Sequence, residues 1–144
     1  MLIEVLISVL LFALGIVALV GLQARSFSTT DDMQYRTEAI HLANAYMGQI
    51  WASGLQGSAL EVFQTKGEQW GDFRDRVVGL NGFQGIPGGQ PPIVTVTDTT
   101  ITDTPAGGTA PVTMPIADIT ITISWLDRDG ITKHNYVQTS SIGY

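Results

Sequence analysis

The chain begins with a long apolar stretch. Glu4 is the one charged residue in positions 1–22, and every residue from Val5 to Leu22 is apolar, small or hydroxylic. An α-helix rises about 1.5 Å per residue, so 18 residues span roughly 27 Å, close to the thickness of a bilayer hydrocarbon core. The pattern predicts a membrane-spanning helix. An acidic side chain within such a helix is costly and usually has a partner, unless it lies hydrated at the interface.

An apolar N-terminal stretch is also typical of a cleaved secretory signal, but three features favour a retained anchor. No Lys or Arg precedes the run, the run is longer than a usual signal core, and Leu22-Gln23-Ala24 lacks a small residue at the upstream position of a cleavage site.

The orientation of the predicted helix in the membrane stays open. Arg25 is the nearest positive charge and would favour the wrong side for an exported head, whereas a basic leader ahead of Met1 would reverse that orientation.

Helical periodicity continues beyond the apolar stretch. The pattern predicts that the helix runs on as an amphipathic segment to about Ala52 and ends at Ser53-Gly54. Residues 28–32 are better caps than helix interiors, so a kink or a restart is predicted there. We expect the apolar stripe of this segment to pack on the chain's own sheet. The stripe consists of Ala39, Ile40, Leu42, Ala43, Tyr46, Met47, Ile50 and Trp51.

The middle of the chain predicts short helices and loops. A short helix is predicted from Ser58 to Thr65, opened by a Ser cap. A second helix is predicted over Gln69–Leu80, because its apolar residues follow helical spacing, with Asp72 near its start and Arg76 further along. Asn81-Gly82 is predicted to end that helix. The stretch 85–92 is rich in Gly and Pro, which predicts a loop.

The last third of the chain predicts an antiparallel sheet of three or four strands. Ile93–Thr102 is rich in Val, Ile and Thr, and Thr104–Pro115 predicts an irregular loop. From Ile119 to Leu126 apolar residues alternate with Thr and Ser, which predicts a strand with one buried face. Asp127–Gly130 predicts a hairpin turn, and Ile131–Ile142 predicts the returning strand.

Composition limits the classes of function. A chain of 144 residues, 44% of them hydrophobic, suits one modest domain plus an anchor. Only 14% of residues are charged, the formal net charge is −6 and no basic run occurs, which argues against binding nucleic acid or anionic lipid head groups. The absence of cysteine excludes disulfides, thiolate nucleophiles and thiolate metal sites.

The sequence carries no catalytic or nucleotide-binding motif that we recognise. His41 and His134 are the two histidines, without HExxH spacing, and neither a Gly-x-Ser-x-Gly nor a P-loop pattern occurs. We therefore expect a non-enzymatic protein without a cofactor.

One metal hypothesis remains for the end of the chain. Asp127 and Asp129 would offer oxygen ligands to calcium. Asp98, Asp103 and Asp118 are further candidate ligands. The spacing is a fragment of an EF-type loop, however, and a hairpin turn accounts for the same residues, so we favour the hairpin.

The first five residues carry a resemblance to a known family. The sequence Met1-Leu2-Ile3-Glu4-Val5 resembles the mature N-terminus of type IV pilins and type II secretion pseudopilins, in which an aromatic residue and Thr precede Leu-Ile-Glu-Val. Met1 stands in place of that Thr, and the aromatic residue and the basic leader are absent from this sequence. The predicted helix before the Pro-Gly-Gly turn, and the spacing Trp125-x-Asp127-x-x-Gly130, are similar to PilV-type minor pilins.

The resemblance implies an α+β, pilin-like fold, with a long N-terminal hydrophobic spine helix packed on a small antiparallel β-sheet. It divides the chain into residues 1–24, the transmembrane or filament-core half of the spine, and 25–53, its amphipathic half. A helical and loop connector, 54–92, and the sheet, 93–144, would follow. Residues 25–144 together would form the globular head.

The resemblance also implies a structural role, that of a minor pilin that assembles into or primes a type IV pilus. The implied partners are other pilin or pseudopilin subunits in a helical filament, the inner-membrane assembly platform, and the bilayer before assembly. The implied location is the bacterial inner membrane, with the head in the periplasm, and then the pilus at the cell surface. The alternatives are a minor pseudopilin of a type II secretion system and a single-pass membrane protein whose β-rich domain binds a ligand.

Four residues take roles from the resemblance. Glu4 would set axial register by pairing with the N-terminal amine of a neighbouring subunit, the group that Met1 carries here. Gly15 and Gly21 would be either soft spots of the helix or small residues for close helix packing, and the sequence does not choose between these roles.

Overall fold

The described residues form two compact units. The structure is a computed structural model that describes residues 2–104, 110–127 and 129–144, and the side chains of 24–31 lie outside that description. The units are Met1–Tyr35 and Arg36–Tyr144. Helix α1, Leu2–Ser53, contributes residues to both. Helix α1 runs without interruption through residues 28–32, so the predicted restart is wrong. The predicted kink and the sequence-based segment boundaries stay predictions.

The second unit continues after α1 with two short helices and three strands. Their bounds are Gly57–Phe63 for a 3₁₀ helix, Trp70–Val78 for α2, Ile93–Asp103 for β1, Val112–Leu126 for β2 and Lys133–Gly143 for β3. The strands form one antiparallel sheet in the order β1-β2-β3. An N-terminal apolar helix together with a small three-stranded antiparallel sheet confirms the predicted α+β class.

Strand β2 lies at the centre of the sheet and supplies much of the core of Arg36–Tyr144. Its buried apolar residues alternate, as the sequence predicted, and each fully buried Ile stabilises the fold by roughly 2 kcal/mol. They are Ala117, Ile119, Ile121, Ile123 and Trp125. The amide of Gln138 on β3 donates a hydrogen bond to Oδ1 of Asn44 at 3.0 Å, which joins the second half of α1 to the sheet.

The predicted apolar stripe of α1 is mostly buried. Its fully buried members are Ala39, Ala43, Tyr46, Met47 and Ile50. The prediction is wrong for Trp51, which is 54% exposed. Trp51 follows the buried Ile50 by one residue, and one residue rotates a side chain about 100° around the helix, away from the core. The helix ends at Ser53, with Gly54 at φ 65°, as predicted.

The short helices differ from the predictions at their ends. The first is a 3₁₀ helix preceded by Gln56, without the side-chain cap predicted for Ser58. The chain turns instead at Gly57, where φ is 57° and a Cβ would lie 3.2 Å from the ring of Tyr144. Helix α2 ends at Gly79, in the left-handed region, rather than at Asn81-Gly82.

The boundary of β2 corrects the predicted loop Thr104–Pro115. The β1 and β2 ladder runs without a bulge from Ile93 opposite Thr122 to Asp103 opposite Val112, so the strand begins at Val112. The hydrogen bonds of the β1 and β2 ladder thus hold residues 112–115 in a strand, although their composition is typical of a loop. The turn between β2 and β3 confirms the predicted hairpin, and the Gly/Pro-rich stretch 85–92 is largely irregular, with an isolated bridge between Gly89 and Trp125.

Candidate functional site

Glu4 lies in the first turn of α1, where the positive end of the helix dipole favours an acidic side chain. The hydroxyl of Ser8 donates to the backbone oxygen of Glu4 at 2.8 Å, a bond within the helix that does not involve the carboxylate. Among residues 2–104, 110–127 and 129–144, the structure gives the Glu4 carboxylate no ion pair. Met1, whose amine is predicted to pair with Glu4 of a neighbouring subunit, lies outside the described residues.

The first unit exposes a continuous apolar surface around Glu4. The large apolar side chains from Leu2 to Leu22 are all exposed, Leu2 to 84%. Monomeric soluble proteins rarely expose apolar patches above a few hundred Å². Leu2–Gln23 is long and apolar enough to cross a membrane, although a signal sequence would meet the same criterion of length and composition. The helix is thus able to anchor the protein in a membrane.

Gly15 and Gly21 both lie inside the helical part of the first unit. A Cβ built at either position would meet no atom within 4 Å. The described part of this chain therefore does not require their small size. Any packing role would involve a surface supplied by another molecule, and both predicted roles stay predictions.

Asp129 organises the turn between β2 and β3. Its Oδ1 accepts hydrogen bonds from the backbone nitrogens of Ile131 and Thr132, both at 2.8 Å, and its Oδ2 accepts one from the Thr132 hydroxyl at 2.6 Å. These bonds, that of the Thr132 hydroxyl first, hold the pKa of Asp129 below its usual range. Both carboxylate oxygens are engaged by the turn itself.

The other candidate calcium ligands have different surroundings. The backbone nitrogen of Asp127 donates a hydrogen bond to the backbone oxygen of Thr132 at 2.8 Å. Oδ1 of Asp118 accepts a hydrogen bond from the Ser141 hydroxyl at 2.5 Å. Over the described ranges, no group of three or more His, Asp or Glu residues is placed to hold a metal ion. The arrangement favours the hairpin interpretation over the calcium site.

The two histidines have separate environments. His41 is exposed on α1, in the second unit. His134 lies opposite Trp125 in the β2 and β3 register and stacks on its indole, with ring centroids 5.9 Å apart. Neither arrangement resembles a catalytic pair.

The sequence analysis missed a cluster around a buried carboxylate at the end of α2, which we call the Asp75 clasp: Arg74, Asp75 and Asn81. Asp75 is only 6% exposed. Arg74 donates to its Oδ1 through Nε at 2.8 Å and Nη2 at 2.5 Å, and Asn81 donates to its Oδ2 through Nδ2 at 2.5 Å. The Arg74 bonds first, and then the Asn81 bond, outweigh desolvation and lower the pKa of Asp75. The sequence feature that could have indicated this cluster is an Asp six residues before an Asn-Gly pair.

Two concave surfaces lie among the described residues near the end of α1. A recess of about 50 Å³ lies between α1 and α2, well below the roughly 300 Å³ at which ligand pockets begin. A shallow groove of about 430 Å³ follows the end of α1 and is lined by Gln49, Ala52, Ser53, Leu55, Val62, Phe63 and Gln69. Of these two surfaces, the groove is the one large enough for a small molecule.

Comparison of the chain with family models, with curated proteins and with solved structures gave no match in any of the three.

Proposed function

We propose that this protein is a non-enzymatic structural subunit with a pilin-like fold, a PilV-type minor pilin that assembles into or primes a type IV pilus through its N-terminal helix. The observation that carries the proposal is Glu4, a carboxylate in the first turn of an exposed apolar helix. Before assembly the helix lies in the bacterial inner membrane with the globular unit in the periplasm. After assembly the protein is part of the pilus at the cell surface.

The physical argument starts from the cost of the charge. A carboxylate at the centre of a bilayer costs about 3 kcal/mol on insertion scales, and less near a helix end. The N-terminal amine of a neighbouring subunit would cancel that charge in the filament. A buried ion pair is weak evidence for stability, but such pairs are well suited to fixing register. A helical filament needs a fixed register between its subunits.

The remainder of the chain is consistent with a head carried by such a helix. Arg36–Tyr144 is a compact unit with its own core and a three-stranded sheet. Pilin and pseudopilin subunits, together with the inner-membrane assembly platform, are the partners that this role requires.

The test is assembly of Glu4→Ala in the host bacterium. We expect the variant to remain in the membrane fraction at wild-type level but to be lost from sheared pili. Ser8→Ala is the matched control, because it removes a polar group one turn away without removing a charge, and it should assemble normally. Wild-type recovery of Glu4→Ala in sheared pili would contradict the proposal.

Two alternative functions predict different experimental results. A minor pseudopilin of a type II secretion system shares the Glu4 argument but would co-fractionate with the secretion machinery rather than with pili. A membrane-anchored ligand-binding domain would use the groove at the end of α1. It would keep its binding activity when the apolar residues 2–23 are removed.

A further inference from the structure

The segment after α2 forms an exposed turn fixed at its two ends. Gly79 and Gly85 pack backbone to backbone, since a Cβ on Gly85 would lie 2.3 Å from the Gly79 nitrogen. Between them, Asn81 and Gly82 both have positive φ, 52° and 89°, and both are exposed to solvent. A Cβ at Gly82 would meet nothing within 4 Å. The outer side of the turn at Gly82 is therefore open to water, although the Asn81 amide itself is held by Asp75.

An Asn followed by Gly carries an intrinsic chemical reactivity. The backbone nitrogen of the Gly attacks Cγ of the Asn, and the missing Gly side chain leaves that approach unhindered. The new N–Cγ bond closes a five-membered succinimide, the Cγ–Nδ2 bond breaks, and the proton from the attacking nitrogen leaves with the amide as ammonia. Water then adds to either ring carbonyl, the bond between that carbonyl carbon and the ring nitrogen breaks, and the nitrogen takes up a proton. Attack at Cγ yields aspartate and attack at the main-chain carbonyl yields isoaspartate. No oxidant or cofactor takes part.

We propose that Asn81 is a site of spontaneous deamidation, and that its conversion to aspartate or isoaspartate opens the Asp75 clasp. Asn81 contributes a hydrogen-bond donor to the buried Asp75 carboxylate, through Nδ2 at 2.5 Å. Deamidation replaces that donor by a carboxylate oxygen. Two carboxylates then face each other at hydrogen-bond distance, while the Arg74 guanidinium binds the other oxygen of Asp75.

Opening the clasp weakens the end of α2. The backbone oxygen of Asp75 accepts hydrogen bonds from Gly79 and Leu80, both at 2.9 Å, so the same residue that loses its side-chain partner also closes the last helical turn. Like charges at short range disfavour ionisation of the pair and favour states in which the two side chains separate. The inference is independent of the proposed function, because it concerns the globular unit alone.

The chain contains its own controls for this reaction. Its other two asparagines are Asn44, in α1 and followed by Ala45, and Asn135, in β3 and followed by Tyr136. Both lie in regular secondary structure whose backbone nitrogens are engaged, and both precede a residue with a side chain. Neither should react on the timescale of Asn81.

The test ages the full-length protein in detergent at neutral pH and physiological temperature, followed by peptide mapping with detection of isoaspartate. We expect the mass change and the isoaspartate signal in the Asn81 peptide, with the Asn44 and Asn135 peptides intact. Conversion of Asn81 no faster than that of the other two asparagines would overturn the proposal.

A pair of variants tests the structural consequence. Asn81→Asp tolerates the same left-handed backbone but lacks the donor, so we expect its Tm to fall by roughly 5 °C. The double variant Asp75→Asn with Asn81→Asp exchanges the amide and the carboxylate, and we expect it to recover part of that loss. A wild-type Tm for Asn81→Asp, or a double variant no more stable than the single one, would contradict the opening of the clasp.

Discussion

Tyr46 occupies the point where α1, α2 and the 3₁₀ helix meet. Its ring stacks on Phe73 with centroids 4.0 Å apart and meets Phe63 edge to face at 5.9 Å. Its hydroxyl donates to the backbone oxygen of Phe63 at 2.9 Å. Helical spacing predicted that Tyr46 faces the core. It did not predict the hydroxyl's partner, because a contact across 17 residues depends on the path of the connector.

Tyr46 should make the protein sensitive to alkali. Burial raises the pKa of Tyr46 above its ordinary value of 10.0. The folded state therefore holds this proton more tightly than the unfolded state, so its contribution to stability is complete below about pH 10 and is lost as the pH rises further. We expect Tyr46→Phe to be less stable at neutral pH but to show a shallower alkaline decline, measured by urea unfolding across the alkaline range. The partly exposed Tyr144, as Tyr144→Phe, is the control and should keep most of the slope. An unchanged slope in Tyr46→Phe would contradict this assignment.

Asp75 should have the opposite dependence on pH. Arg74 holds the pKa of Asp75 below its usual range, so its contribution to stability is present above about pH 4 and is lost as the pH falls through the lowered value. We expect Asp75→Asn to lower the Tm at neutral pH and to flatten the acid side of the stability profile. Asp72→Asn, on the exposed side of the same helix, is the matched control. Equal acid profiles for wild type and Asp75→Asn would show that other groups control acid unfolding.

At the scale of elements, strand β2 was the easiest to predict and its start was the hardest. Apolar and polar residues alternate in the sequence from Ile119 to Trp125, because one face of the strand is buried. Val112 to Pro115 carries no such alternation, because these residues are held by the ladder to β1. The 3₁₀ helix and the end of α2 were also mispredicted at their boundaries. These boundaries depend on Gly57, which lies against the ring of Tyr144, and on Gly79, which lies against the backbone of Gln84.

The buried face of β2 should be the most sensitive surface of the sheet. Ile121 is fully buried in the central strand. We expect Ile121→Ala to lower the free energy of unfolding by about 3 kcal/mol, because it removes apolar contacts and leaves a cavity. Thr97→Ala, on the exposed face of β1, should change it by no more than about 0.5 kcal/mol. Urea unfolding measures both, and equal effects would contradict the assignment of faces.

The hairpin turn tests the calcium hypothesis directly. Asp129→Ala removes the acceptor of three hydrogen bonds, so we expect a lower Tm with or without calcium. Calcium should leave the Tm of the wild type unchanged, because the turn itself already engages both carboxylate oxygens. A calcium-dependent rise in the wild-type Tm that disappears in Asp129→Ala would restore the metal site as the better interpretation.

At the scale of the whole molecule, the chain joins a unit with an exposed apolar helix to a unit with its own core. The apolar run was evident from the sequence. The molecule that would cover it was not, because exposed apolar side chains do not distinguish a lipid from an apolar protein surface.

The apolar helix should determine membrane attachment. We expect the full chain to stay in the membrane pellet after alkaline carbonate extraction and a chain without residues 2–23 to be released. Replacement of the same residues by an unrelated apolar helix should restore attachment but not assembly. Release of the full chain by carbonate would contradict a membrane-spanning helix.

The most direct test of the central claim is to identify what lies beside Glu4 in the cell. A photo-crosslinking amino acid in place of Val5 reports the neighbour of the first helical turn. The account predicts a crosslink to a second pilin-like subunit that is lost in Glu4→Ala and kept in Ser8→Ala. Crosslinks to lipid alone, or a subunit crosslink of equal yield in Glu4→Ala, would contradict it.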